Sequence, residues 1–175
     1  MKKYLGAIIS GLVGILTFVF LSIPNFVAKM SYESETQRET LSAWQLLNSE
    51  DAELLEQAGV NPGFAKFCVI ALAIVAGLLI VCAAIMLLKN VLKLKLNLNM
   101  INNIVLAAYA LVAVLAVIAF FVMGADMKEL AGEFITMIEA AGGSVYFGPA
   151  AGAWVNASVG VVGCAAGWLF ARKAD

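Results

Sequence analysis

With no histidine and only 12 carboxylates and 3 cysteines, this 175-residue chain lacks the usual residues of most acid–base and metal chemistry. The carboxylates crowd at Glu50, Asp51 and Glu53. Such a group could pair an acid with a base at a surface, but acids at the start of a helix are already explained by the helix dipole. Cys68, Cys82 and Cys164 lie within or beside apolar stretches, without metal-site spacing, and the polar segments contain no cysteine pair. They read as small packing residues. Asn156 is the one strongly polar side chain well inside an apolar stretch, and its expected role is a hydrogen bond to another helix. With Ser158 it matches a glycosylation sequon, which a helix in lipid would hide. These residues nominate no catalytic group, cofactor or metal ligand, and the expectation is a non-enzyme with no nucleic-acid partner.

The elements that must hold these residues are apolar. The chain is 63% hydrophobic and 13% charged, against roughly 45–50% and about 25% in soluble domains, which excludes a soluble enzyme domain. Residues 4–28, 67–88, 100–125 and 148–171 contain no Asp, Glu, Lys or Arg. Each reaches the roughly 20 residues that a membrane-spanning helix needs, and unpaired backbone groups cannot stay in lipid. The expected fold is therefore all-α: one four-helix membrane bundle over residues 1–175, with the first apolar run retained rather than cleaved as a signal. No ionisable group lies within a span, which argues against a proton-coupled transporter.

Seven Lys and Arg residues fall on the side that holds both termini and the 89–99 connection, against four in the 29–66 and 126–147 loops. Positive residues favour the cytoplasmic side. The expectation is a plasma (cytoplasmic) membrane protein with both termini inside and 11 carboxylates outside. In the first outer loop, residues 30–40 are a strand candidate. Asn48 or Ser49 caps a short helix that ends at Gly59. Trp44, Leu46 and Leu47 form an apolar cluster that either packs on the bundle or contacts a partner. In the second loop, Met127, Leu130, Phe134, Met137 and Ile138 follow helical spacing. The third span is therefore expected to continue outward to about Ala141, where Gly142 and Gly143 stop it. Ser144 to Phe147 then reads as a short strand, and Pro149 opens the fourth helix. The inner connection, which alternates leucine with lysine or asparagine, is expected to be a turn at the lipid surface.

Small residues recur every fourth position: Gly6, Ser10 and Gly14 in the first span, and Gly152, Asn156, Gly160 and Cys164 in the fourth, with Gly163 and Gly167 beside them. Such rows let helix backbones approach closely, either within one bundle or between copies.

This layout resembles the claudin superfamily of four-span proteins. The local match is the segment from Gly143 through Tyr146, Phe147, Gly148 and Pro149 to Trp154, followed by a glycine-rich fourth span, with Ser42, Ala43 and Trp44 in the first loop. The several tryptophans and the cysteine pair of that family's first loop are absent, Trp44 being the only tryptophan there. The resemblance implies a small outer β-sheet built from loop one and residues 144–147, and it does not carry over paracellular sealing. The expected function is a non-catalytic membrane scaffold that assembles with itself or another membrane protein through small-residue helix faces and outer loops. The outer-loop contact candidates are Trp44, Leu46, Leu47, Tyr146 and Phe147. The alternative is a homo-oligomeric, cation-attracting pore.

Overall fold

The computed structural model describes residues 2–57, 59–92 and 98–171. The order of elements is α1 (Lys2–Phe20), β1 (Pro24–Tyr32), β2 (Glu35–Ser42), α2 (Ala43–Leu47), α3 (Ser49–Gln57), α4 (Gly63–Leu92), α5 (Leu98–Leu130), α6 (Gly132–Ala140), β3 (Ser144–Pro149) and α7 (Ala151–Ala171). Three helices, α4, α5 and α7, are long and apolar enough to cross a membrane, whereas the apolar part of α1, Tyr4–Phe20, is shorter. The expected inner turn falls mostly at residues 93–97, outside the described residues.

The first span does not reach residue 28. A proline lacks the amide hydrogen that continues a helix, and it pushes the preceding residue out of the α region. Pro24 therefore ends the helical run early, and residues 24–28 belong to β1. A helix end leaves its last carbonyls without partners. Here Asn25 supplies one: its Nδ2 donates to Phe20 O at 3.0 Å and to Ile23 O at 2.6 Å, with Leu21 O at 3.4 Å. A register shift between Pro24 and Phe26 places Asn25 at a bulge, and its side chain is buried.

The small sheet of loop one and residues 144–147 that the resemblance implied is present beside the helices: β1 is the centre of a three-stranded antiparallel sheet ordered β2-β1-β3. β1 and β2 form a hairpin, with Tyr32 opposite Glu35 across Glu33 and Ser34. β3 pairs with β1 from Ser31↔Ser144 to Phe26↔Pro149. Pro149 thus closes the strand instead of opening the last helix, and α7 starts at Ala151 after the Ala150 amide donates to Asn25 O at 2.8 Å.

The third span also differs from expectation, since α5 ends at Leu130 and α6 begins at Gly132. Ala131 lies off the helical basin at φ −93°, ψ 11°, next to a glycine that weakens helix continuation. Hydrogen bonds still bridge the break, from Ala131 N to Met127 O and from Ile135 N to Ala131 O, so the helix kinks instead of entering a loop. It stops at Gly142 (φ +81°), where Gly142 N and Gly143 N donate to Glu139 O and Ile138 O. α3 ends the same way at Gly59 (φ +85°). Only glycine adopts these left-handed positions without steric cost.

The long helices pack as a ring, α1 beside α4 and α7, and α5 beside α4 and α7. The remaining elements gather as a headpiece where α1 and α5 end and α4 and α7 begin. Ala43 and Leu46 of α2 are fully buried in the continuous core, and Ala43 N donates to Leu21 O. Replacing Asn25 with alanine frees the carbonyls of Phe20 and Ile23 in a buried joint, and is expected to cost about 1–3 kcal/mol. Reversible unfolding in mixed micelles measures this, with Ser34→Ala at the hairpin tip as the unaffected control.

Candidate interaction surface

Within the bundle, the small residues are spent on internal seams. A Cβ at Gly14 would stand 2.7 Å from Ala76 O, and the Ser10 hydroxyl donates to Leu79 O at 2.9 Å, so this face of α1 lies on α4. Gly6 has open space around it. On α7, a Cβ at Gly152 would meet Pro24 O at 2.6 Å, and one at Gly160 would meet Ala113 N of α5 at 2.6 Å. Cys164 Sγ lies 3.9 Å from Leu106 O.

Gly163 makes room for a side chain that the sequence reading did not single out. A Cβ there would stand 2.9 Å from the Tyr109 ring, and Gly167 lies along the same ring. Tyr109 is 1% exposed, with its hydroxyl beside the Ser10 side chain. Its hydroxyl end lies at α1, while its ring fills the glycine slot of α7. The available signal was a lone tyrosine among alanines, facing a span with glycines at 160, 163 and 167.

Asn156 is fully buried on the α7 face that carries Gly152 and Gly160. The expected bond to another helix is not made: neither its Nδ2 nor its Oδ1 has a partner among the described residues. Helical amides and carbonyls around it are already paired along their own helices. The cysteines are free, and among the described residues no three His, Cys, Asp or Glu residues form a group that could hold a metal. An apolar groove of about 460 Å³ runs between α1 and α7, lined by Leu12, Val13, Leu16, Val155 and Val159. Its one hydroxyl, on Ser158, donates to Trp154 O of its own helix, so the groove can receive acyl chains without polar recognition.

The headpiece is where charge is displayed. Trp44 stacks on Phe18 of α1 with centroids 6.2 Å apart, Leu46 is buried beneath it, and Leu47 packs against the core. This apolar cluster faces the bundle, although the Trp44 ring remains partly exposed. Phe147 and Val145 line a hollow of about 220 Å³ with Ala28, Met30 and Phe134. Tyr146 is exposed, with its hydroxyl donating to Pro149 O at 3.4 Å. Between α5 and the loop after α3, Asp126 and Glu129 line an acidic cleft of about 340 Å³ with Asn61.

Directly opposed residues of an antiparallel sheet share a face, so register fixes which headpiece side chains stand together. One row is Arg38, Lys29 and Tyr146, and the next is Thr36, Ser31 and Ser144, whose Ser31 and Thr36 hydroxyls are 3.2 Å apart. Glu35, Gln37 and Glu39 alternate onto the other face. The sheet therefore has one face with acids and one with adjacent cations, a segregation invisible until the register is known. Compared with known proteins, the chain matches no family model, no curated protein and no solved structure.

The closeness of α7 to α5 generates a stability ordering. Gly160→Val must push a backbone seam apart and is expected to cost roughly 1–3 kcal/mol. Tyr109→Phe keeps the ring and removes only the hydroxyl beside Ser10, and a polar contact of that kind is worth about 0.6 kcal/mol on average in membrane proteins. Unfolding in mixed micelles checks the order, and a larger loss for Tyr109→Phe would make the hydroxyl, not the close fit, the main tie.

Proposed function

We propose that this chain is a four-span membrane protein of claudin-like layout that acts without catalysis, as a scaffold displaying its headpiece to partners. The observation that carries the reading is the division of labour between an uncharged bundle, whose small-residue seams are used up internally, and a folded, charge-bearing headpiece at one end. The fourth crossing is α1. Its Ile8, Leu12, Ile15 and Val19 are exposed in a continuous apolar stripe, its Gly11 to Gly14 stretch lies beside Ala76 to Ala83 of α4, and its 19 residues extend roughly 28 Å. That nearly matches the roughly 30 Å of bilayer hydrocarbon.

Both termini lie in the cytoplasm of a plasma-membrane protein and the headpiece faces outward, a reading supported by the excess of positive residues at the opposite end. With Gly14, Gly160 and Gly163 occupied inside the chain, contacts with a second copy or another membrane protein fall to the headpiece. Partners are the lipid bilayer and other membrane chains. A pore through the single bundle is disfavoured because Tyr109, Phe120, Leu79 and Val112 fill it, so conduction would need a channel between copies. The acidic cleft at Asp126 and Glu129 is the feature that would attract cations to such a mouth.

The native mass of the gently extracted protein tests this reading. The expected result is an assembly larger than one 18.5 kDa chain, with any co-extracted chain identified by mass spectrometry. A bare monomer that turns over a substrate would overturn it, and ion flux through liposomes holding the assembly would favour the pore. Topology is checked separately in a background with the native cysteines replaced. Arg38→Cys is expected to react with an impermeant thiol reagent from outside, and Lys173→Cys only after permeabilisation.

A further inference from the structure

Two exposed patches of the headpiece complement each other, and neither finds its counterpart among the described residues. The first is the sheet row in which Lys29 stands between Arg38 and Tyr146. Like charges directly opposed across strands repel, yet among the described residues neither Lys29 nor Arg38 makes an ion pair. All three side chains are exposed, and the neighbouring rows on that face, Thr36 with Ser31 and Thr40 with Val27, carry no carboxylate. A repelling pair is kept here at the surface with nothing among the described residues to neutralise it.

The second patch is on α3. Glu50, Glu53 and Leu54 are spaced to lie on one helix face, and all three are exposed, Leu54 at 63%. The opposite face of α3 seats Ala52 in the interior and packs Leu55 against the core. Glu56 is paired with Lys66 at 3.6 Å, but among the described residues Glu50 and Glu53 have no basic partner. The patch is thus an exposed leucine flanked by two unpaired carboxylates, and the sheet row is an exposed tyrosine beside two unpaired cations.

We infer that these patches meet between copies of this chain: the Glu50, Glu53 and Leu54 face of α3 in one protomer docks on the Lys29, Arg38 and Tyr146 row of the next. This deepens the scaffold reading and rests on it. Charge complementarity selects a second copy as the occupant, since the same chain supplies both members in matching numbers with an apolar group in each. Copies in one membrane share an orientation, which holds both headpieces at the same height above the lipid. Because the two patches differ, the contact is heterologous and propagates around a ring or along a row. The charges set its register and salt sensitivity, while Leu54 against Tyr146 excludes water.

The test uses the full chain in nanodiscs, with native mass as the readout and thermal midpoint as the folding control. Lys29→Glu with Arg38→Glu is expected to reduce the assembly to monomers at 0.15 M salt, as is Glu50→Lys with Glu53→Lys. Mixing the two variants in equal amounts is expected to restore assembly, because each reversed patch then faces its complement only in the other variant. Leu54→Cys mixed with Tyr146→Cys, in a background with the native cysteines replaced, is expected to form an intermolecular disulfide that neither forms alone. Charge variants that keep the wild-type mass, or a mixture that stays monomeric, would overturn this contact while leaving self-association standing. A wild-type chain that is monomeric would overturn the contact and the self-assembling scaffold together. A monomeric wild type that binds a foreign acidic chain, lost in Lys29→Glu with Arg38→Glu, would reassign the sheet row to that partner.

Discussion

Close approach of α7 to α5 is the contact on which the rest of the bundle depends. In lipid, apolar surface gains nothing by turning inward, so helices are held by packing and the few polar bonds available. Gly160 lets the two backbones touch, and Gly163 and Gly167 open a slot that only a flat ring fills. Tyr109 occupies that slot with its hydroxyl beside Ser10, and Ser10 itself donates to Leu79 O of α4. A larger residue at Gly160 would push the α5 backbone away, and one at Gly163 would displace the ring.

The joint between bundle and headpiece answers a different constraint. Leaving a helix at the edge of lipid exposes carbonyls that must be paired, and Asn25 pairs those of α1 from the first residues of the strand that follows. The same residue's carbonyl receives the Ala150 amide, which sets where α7 begins. Gly124 completes the seating, because a Cβ there would stand 2.7 Å from Phe147 O and force β3 off α5. The sheet is therefore mounted on the bundle at three points, through β1, β3 and the start of α7. Its edge strand β2 carries Glu35, Arg38 and Glu39, charges that discourage pairing with a foreign strand.

Residue types and spacing alone determined much of this architecture. The uncharged runs placed the apolar helices, since a bilayer excludes charge on any arrangement of the chain. Gly59 and Gly142 marked two helix ends through a local backbone requirement, and the cluster of Trp44, Leu46 and Leu47 marked where loop one returns to the bundle. Pro24 also held the signal that α1 stops early, but an uninterrupted apolar run to Ala28 hid it, because hydropathy does not register a missing amide.

Only the tertiary structure decided what depends on two distant segments meeting. The use of Gly160, Gly163 and Gly167 required knowing that Tyr109 lies opposite, and the lack of a partner for Asn156 among the described residues required knowing its surroundings. The bond from Asn25 to α1 and the sharing of one sheet face by Lys29, Arg38 and Tyr146 follow from a bulge and a register. Register is set by the pairing of residues far apart in the chain, so no local pattern encodes it.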